Sequence, residues 1–184
     1  MLPPADRPPL LGICATGSNS GKTTLLTGLI PALLQAGCRV SVIKHAHRHF
    51  DIDHPGKDTY RIRQAGAVQT LIGSRQRWAL MTELPEAAEE PDLATLAAQL
   101  DPRSADLILV EGFRHEAIPK IEVFRPAMQQ PLLANSDPTI IAIASDEIFE
   151  HRLPVLDLNN HAAIAQYILG WLALQPQPDA TTAP

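Results

Sequence analysis

Cysteine and long apolar runs are scarce in this chain, and each scarcity closes off a class of protein. Two cysteines, Cys14 and Cys38, with no C-x-x-C spacing, supply neither a zinc framework nor a disulfide scaffold, and both read as core packing. No apolar run approaches the about 18 residues of a membrane span. Met1 to Pro9 is proline-rich and carries Asp6 and Arg7 where a secretory leader would place an apolar core. The expectation is a cytoplasmic protein that does not engage a membrane. The net charge of -5 argues against a nucleic-acid surface, although the basic residues gather between Arg39 and Arg77. What is present is a globular composition, 45% hydrophobic and 19% charged over 184 residues, enough for one domain with a single core.

The most informative stretch is Ala15-Thr16-Gly17-Ser18-Asn19-Ser20-Gly21-Lys22-Thr23-Thr24, which follows the apolar run Leu10 to Cys14 and opens an amphipathic segment. Small residues let successive backbone N–H groups turn inward around a polyphosphate, and the helix that follows offers its positive dipole end to the same anion. In that reading Lys22 reaches the β- and γ-phosphates and the Thr23 hydroxyl holds Mg²⁺. The general pattern G-x-x-x-x-G-K-[ST] is met except that Thr16 stands at its first position and glycine arrives one residue later, at Gly17. An ordinary strand-to-helix turn is the alternative, but it has no need of Gly-Lys-Thr-Thr at the mouth of a helix.

The rest of the chain alternates. Leu10 to Cys14 reads as a buried strand and Lys22 to Ala36 as a helix with Leu25, Leu26, Leu29, Leu33 and Leu34 on its apolar stripe, Pro31 inside it and Gly37 as its stop. Arg39 to Lys44 is a second strand, completing a βαβ unit. A short helix at Lys57 to Ala65, strands at Ala67 to Ile72 and Trp78 to Thr82, and a helix from Asp92 to Leu100 follow. Leu107 to Val110 is a buried strand, Lys120 to Phe124 alternates like a half-buried one, and Thr139 to Ala144 is buried again. Val155 to Leu158 is a candidate edge strand before a last helix, Ala162 to Leu174. Strands alternating with helices predict an α/β fold of three layers around a mostly parallel sheet. The expected organisation is a flexible segment at 1–9, one domain at 10–174 and a disordered proline-bearing tail at 175–184.

A phosphate loop needs an acid for its metal, at the carboxyl end of a neighbouring strand. Asp106 precedes its strand and would lie at the wrong end; Glu111 follows it, on the edge shared with Lys22, and is the expected metal partner, directly or through water. Gly112 would permit close backbone approach. The run His45-Ala46-His47-Arg48-His49 could bind a transition metal, but without cysteine partners or helical H-E-x-x-H spacing a solvated loop is the simpler account. Asp51, Asp53 and Asp58 remain candidates to orient water or magnesium. The guanine-reading N-K-x-D sequence is absent, so Asp146, in the Ser145-Asp146 turn after a late buried strand, becomes the candidate acceptor for guanine N–H groups.

Several stretches together resemble one family. These are the loop with Leu25 and Leu26, Ile43-Lys44-His45-Ala46-His47, His54 to Tyr60 with Arg63 to Ala67, Gln76 to Met81, and Leu109-Val110-Glu111-Gly112-Phe113-Arg114. From about Leu10 to Leu172 the chain is similar to the molybdopterin-guanine dinucleotide biosynthesis adapter (MobB) family. The resemblance implies a P-loop NTPase fold and a protein that binds GTP with Mg²⁺ and hydrolyses it weakly. It also implies a homodimer acting beside the guanylyltransferase that attaches GMP to molybdopterin. The family's loop maps onto Gly17, Ser18, Asn19, Ser20, Gly21, Lys22, Thr23 and Thr24, and its strand-end acid onto Glu111. Thr16 is the departure, at a position where the family itself is loose.

Two other classes use the same loop. A metallochaperone GTPase would employ His45, His47 and His49; a small-molecule kinase would need an acceptor pocket and a lid, and no arginine cluster suggests one. Arg48 or Arg77 could serve as an arginine finger, a role that sequence position alone does not assign.

Overall fold

A computed structural model describes residues 7–46, 50–85 and 90–176. His47, Arg48 and His49 lie outside the described residues, as do most of the expected leading segment and tail. The chain forms two compact units, one of Met1–His45 with Asp92–Pro184 and one of Ala46–Pro91. In chain order the elements are β1 (Leu10–Cys14), α1 (Lys22–Gln35), β2 (Val40–Lys44), α2 (Asp58–Gln64), β3 (Gln69–Gly73), β4 (Trp78–Thr82), α3 (Leu93–Ala97), β5 (Leu107–Glu111), β6 (Lys120–Phe124), β7 (Ile140–Ser145), β8 (Val155–Asp157) and α4 (His161–Leu172).

The first unit is built on a six-stranded sheet ordered β2-β5-β1-β6-β7-β8, in which every neighbouring pair is parallel. Parallel strands need coverage on both faces, and alternate side chains divide accordingly. Leu11, Ile13, Leu107, Leu109, Ile121 and Val123 pack with Leu25, Leu29 and Leu33 of α1 and Ile164 and Ile168 of α4. On the opposite face Ile43, Ile108 and Val110 meet Leu93 and Ala97 of α3, and Cys14, Ile140 and Ile143 meet Ala134 of a short 3₁₀ turn. The expected α/β fold, a three-layer mostly parallel sheet flanked by helices, is the one present.

Local chemistry sets the boundaries. Helix α1 ends in a Schellman motif, with Cys38 N–H donating to Leu33 O at 3.0 Å and Gly37 N–H to Leu34 O at 3.0 Å. Asn160 caps α4 by accepting from Ala163 N–H at 3.0 Å. Helix α3 is shorter than its apolar spacing suggests: it stops at Ala97, and the chain turns before Asp101-Pro102, where proline disfavours a helical residue ahead of it.

Strand β6 overturns one expectation. Its alternation of Lys120, Glu122 and Phe124 with Ile121 and Val123 suggests a strand wet on one side, yet Lys120 is 2% exposed and Glu122 fully buried. Each is tolerated because it is partnered. Lys120 Nζ donates to Glu116 O at 2.6 Å and lies 3.1 Å from Asp137 Oδ2. Glu122 accepts from Leu133 N–H and Ala134 N–H, both at 2.8 Å, which ties the 3₁₀ turn to the sheet. A polar side chain at a period-two position reads as solvent-facing unless its partners, 11 and 12 residues away for Glu122, are known.

In the second unit α2 precedes an antiparallel hairpin of β3 and β4, paired Leu71 to Leu80 and closed by Ser74 N–H donating to Arg77 O at 2.8 Å. Arg63 bridges Asp51 at 2.6 Å and Glu83 at 2.9 Å, and its guanidinium holds the Asp51 carboxyl below the usual value. Leu71, Leu80 and Trp78 share one face of the hairpin and are exposed. Among the described residues no helix is long and apolar enough to cross a membrane.

Candidate nucleotide site

Register places the site. Parallel pairing sets Ile13 of β1 and Lys44 of β2 beside Glu111 of β5, so three strands present their carboxyl ends in one row. The chain leaves β1 next to that row and enters α1 through residues 15–21. Order reverses around β1, with β5 on one side and β6 on the other, which is where sheets of this type bind ligands.

The loop itself is built as a cradle. Asn19 has φ 61° and Gly21 φ 99°, left-handed conformations that asparagine and glycine tolerate and that turn successive N–H groups to one side. Gly21 caps α1 with no side-chain hydrogen bond and the first turn holds no acid, which leaves that helix end to an anion. Ser18 and Asn19 form the exposed crest, whereas Ser20 is buried and its hydroxyl donates to Gly17 O at 3.2 Å. Lys22 arches back over the loop, its Nζ donating to Gly17 O at 2.9 Å and to Ser20 Oγ at 3.2 Å. That is the posture from which an ammonium meets phosphates held by the same N–H groups. Thr24 is exposed, and its carbonyl accepts from the Thr27 hydroxyl at 2.9 Å.

Thr23 and Glu111 come together as the motif requires. The Thr23 hydroxyl lies 3.1 Å from Glu111 Oε1 and 3.3 Å from Oε2. Adjacent vertices of an octahedral magnesium shell with bonds of about 2.05 Å are about 2.9 Å apart, so the two oxygens fit neighbouring positions on one ion. Glu111 is 8% exposed and Gly112, at φ 102°, follows it; a Cβ there would meet His45 Cβ at 2.7 Å. Asp106 lies at the other end of β5, paired with Arg39 at 2.8 Å, and that guanidinium holds its carboxyl below the usual value.

Three cations of the site carry no role in the sequence reading. Lys44 Nζ lies 3.4 Å from Glu111 Oε2, Arg114 donates to Thr16 O at 3.2 Å, and Arg125 donates to Ser20 O at 3.1 Å. The other hand of Arg125 pairs with Asp146 at 2.5 Å, so the candidate base reader is joined to the loop by one side chain. The signal for all three is position: each is a basic residue at or just past the carboxyl end of a strand of the parallel sheet.

Residues 10–146 match the family model described as molybdopterin guanine dinucleotide synthesis protein B, MobB. The chain belongs to the MobB family. It is 48% identical over 168 residues to the molybdopterin-guanine dinucleotide biosynthesis adapter protein of Escherichia coli K12, covering 91% of this chain and 95% of that one. Against the adapter protein of Haemophilus influenzae identity is 46% over 165 residues, 89% of each. A crystal structure of a molybdopterin-guanine biosynthesis protein B superposes with TM-score 0.70 at 28% identity, over 89% of this chain and 99% of that chain. As a MobB protein it is an adapter of molybdopterin guanine dinucleotide biosynthesis, and its fold is the nucleotide-binding fold of that family.

Within this MobB chain the basic residues between Arg39 and Arg77 divide between the two units. In the first, Arg39 serves Asp106 and Lys44 is hydrogen-bonded to Thr23; in the second, Arg63 serves Asp51 and Glu83. Asp53 accepts from the Thr59 hydroxyl at 3.1 Å and Asp58 lies 3.9 Å from Arg61. No group of three or more His, Cys, Asp or Glu side chains suited to a metal ion occurs among the described residues, and His47 and His49 lie outside them. His45 packs its ring 5.0 Å from that of Phe113, and its backbone N–H donates to Glu111 O at 2.8 Å. Phe113 and Ile118 pack on the core beside α3 and Phe124 on the core beside Ala134.

Proposed function

We propose that this MobB adapter binds GTP·Mg²⁺ through Gly17 to Thr24 and Glu111, and that it assists the guanylyltransferase that converts molybdopterin to molybdopterin guanine dinucleotide. The observation that carries this reading is the meeting of Thr23 with Glu111 at the mouth of α1, beside a lysine arched over a loop of inward N–H groups. When bound, Mg²⁺ would neutralise phosphate charge; Thr23 and Glu111 are the residues that would hold it. Lys22 supplies an ammonium to the phosphates, the amides from Asn19 to Thr24 supply directed donors, and Asp146 accepts from the guanine edge. Hydrolysis is slow in this reading: the described side chains that touch the loop are cations, hydroxyls and the Glu111 carboxylate proposed for the metal, with no glutamine among them to orient water.

The protein works as a cytoplasmic homodimer in this proposal. A two-stranded hairpin is marginal by itself, and one that exposes Leu71, Leu80 and Trp78 on a single face gains from being covered by protein. Double replacement Leu71→Lys with Leu80→Lys should give a monomer by light scattering; a dimer that persists places the interface elsewhere.

The deciding experiment is calorimetry of GTP, GDP and ATP with Mg²⁺ against the wild type and Lys22→Ala. Binding of GTP in preference to ATP, lost in the variant while its circular dichroism is unchanged, supports the reading. Absence of heat with folded wild-type protein would remove it.

A further inference from the structure

The two oxygens assigned above to a metal already face a cation that the chain itself supplies. Lys44, the last residue of β2, is in register with Glu111. Its Nζ stands 3.4 Å from Glu111 Oε2 and donates to Thr23 Oγ1 at 3.4 Å, while Thr23 Oγ1 donates to Glu111. One ammonium therefore contacts both groups of the metal site at once. We propose that Lys44 is the resident counter-cation of that site, holding Glu111 and Thr23 in place before a divalent ion arrives and yielding to it when it does. The inference rests on the reading of Thr23 and Glu111 as the metal-holding pair.

Burial on the two sides of the contact supports exchange. The Glu111 side chain is 10% exposed at the end of an apolar strand, and a carboxylate so placed is costly without a counter-charge. The Lys44 side chain is 56% exposed, so its ammonium has water behind it and can swing away on a flexible stem. Among the described residues the cations that touch the loop are engaged otherwise: Lys22 with Gly17 O and Ser20 Oγ, Arg114 with Thr16 O, Arg125 with Ser20 O and Asp146. A dication and an ammonium cannot share Glu111 without strong repulsion at such separations. Lys44 thus sets metal affinity low until the phosphates of a nucleotide add negative charge, which makes metal and nucleotide enter together.

The test uses the full-length protein with one equivalent of GDP, titrated with Mn²⁺ and followed by the electron paramagnetic resonance signal of free Mn²⁺. Lys44→Met should bind Mn²⁺ about fivefold more tightly than wild type, the scale of losing one partly exposed ion pair. Its metal- and nucleotide-free form should unfold at a lower temperature. Lys44→Gln should move both readouts the same way, and it replaces Lys44→Met if that protein does not fold. Glu111→Gln should weaken Mn²⁺ binding more than tenfold. Unchanged or weaker Mn²⁺ binding in both Lys44 variants, with Glu111→Gln weakened, overturns the exchange and leaves the metal assignment standing. Unchanged binding in Glu111→Gln overturns both.

Discussion

Arg125 pairs with Asp146 at 2.5 Å and, through its Nε, donates to the carbonyl of Ser20 at 3.1 Å. The strand ends of β6 and β7 are thereby joined to the phosphate loop, and Arg125 Nη2 lies 3.2 Å from where a Cβ on Gly21 would stand. Two roles separate cleanly in binding data. Asp146→Ala removes the acceptor proposed for guanine and should cut the GTP-over-ATP preference about tenfold, the value of one good polar discrimination. Arg125→Ala removes the brace on the loop and should weaken GTP and ATP alike, by about 1–2 kcal/mol. An unaltered preference in Asp146→Ala places base recognition elsewhere.

Lys22 spends its ammonium on its own loop, at 2.9 Å from Gly17 O and 3.2 Å from Ser20 Oγ. Those are neutral acceptors, and phosphate oxygens are charged ones, so the contact strengthens when a nucleotide binds. Lys22→Ala should lower affinity for GTP by about 3 kcal/mol, more than a hundredfold, with little effect on the melting temperature of the free protein. Calorimetry beside a thermal melt reads both. A large fall in melting temperature would mean that the lysine holds the loop together rather than serving the ligand.

The strands were legible from their patterns: the apolar run Leu10–Cys14 and the alternating Lys120–Phe124 of the six-stranded sheet, and Trp78–Thr82 of the hairpin, fall on the expected residues, and Val155–Asp157 is the edge strand anticipated. The pairing of Thr23 with Glu111 was legible too, since a loop and a strand-end acid on one edge of a parallel sheet have few ways to miss each other. What escaped was side-chain pairing that no motif names. Glu122 reads as solvent-facing until the N–H groups of Leu133 and Ala134 are seen folding onto it, and Arg39 reads as part of a basic cluster until Asp106 claims it at the amino end of β5. Lys44 has no role legible in the sequence, because only the register of β2 on β5 brings it to Glu111.

Glu122 gives the fold a pH signature of definite sign. Burial pushes its carboxyl up, against the pull of the two N–H donors. A raised value in the folded state means a contribution to stability that is full below the unfolded value of about 4.3 and is lost as pH rises through the folded one. Glu122→Gln cannot ionise, so its unfolding free energy relative to wild type should increase from pH 4 to pH 7. Denaturant melts across that range check it, and a difference that falls with pH would mean that the N–H donors outweigh burial. Glu122→Ala leaves both N–H groups without an acceptor and should cost about 2–4 kcal/mol at any pH in the range.

Cys14 ends β1 one residue before the loop, and its thiol is pushed up to about 12 by burial, with the Glu122 charge adding to the shift. The thiolate is the reacting species, so at pH 8 only about one thiol in ten thousand is ionised. Cys38 is buried and shifted in the same direction for the same first cause. Folded protein should therefore react with an aromatic disulfide reagent at pH 8 at least a hundredfold more slowly than a free cysteine, and both thiols should titrate at once in denaturant. Ligand adds a second readout, since the main chain from Cys14 runs directly into the cradle. If GTP and Mg²⁺ rigidify that loop, the residual slow reaction of Cys14 in a Cys38→Ala variant should slow further, because it proceeds through local opening of the strand end. Rapid modification of the folded, ligand-free protein would show that the end of β1 opens readily, and with it the platform that aims the loop.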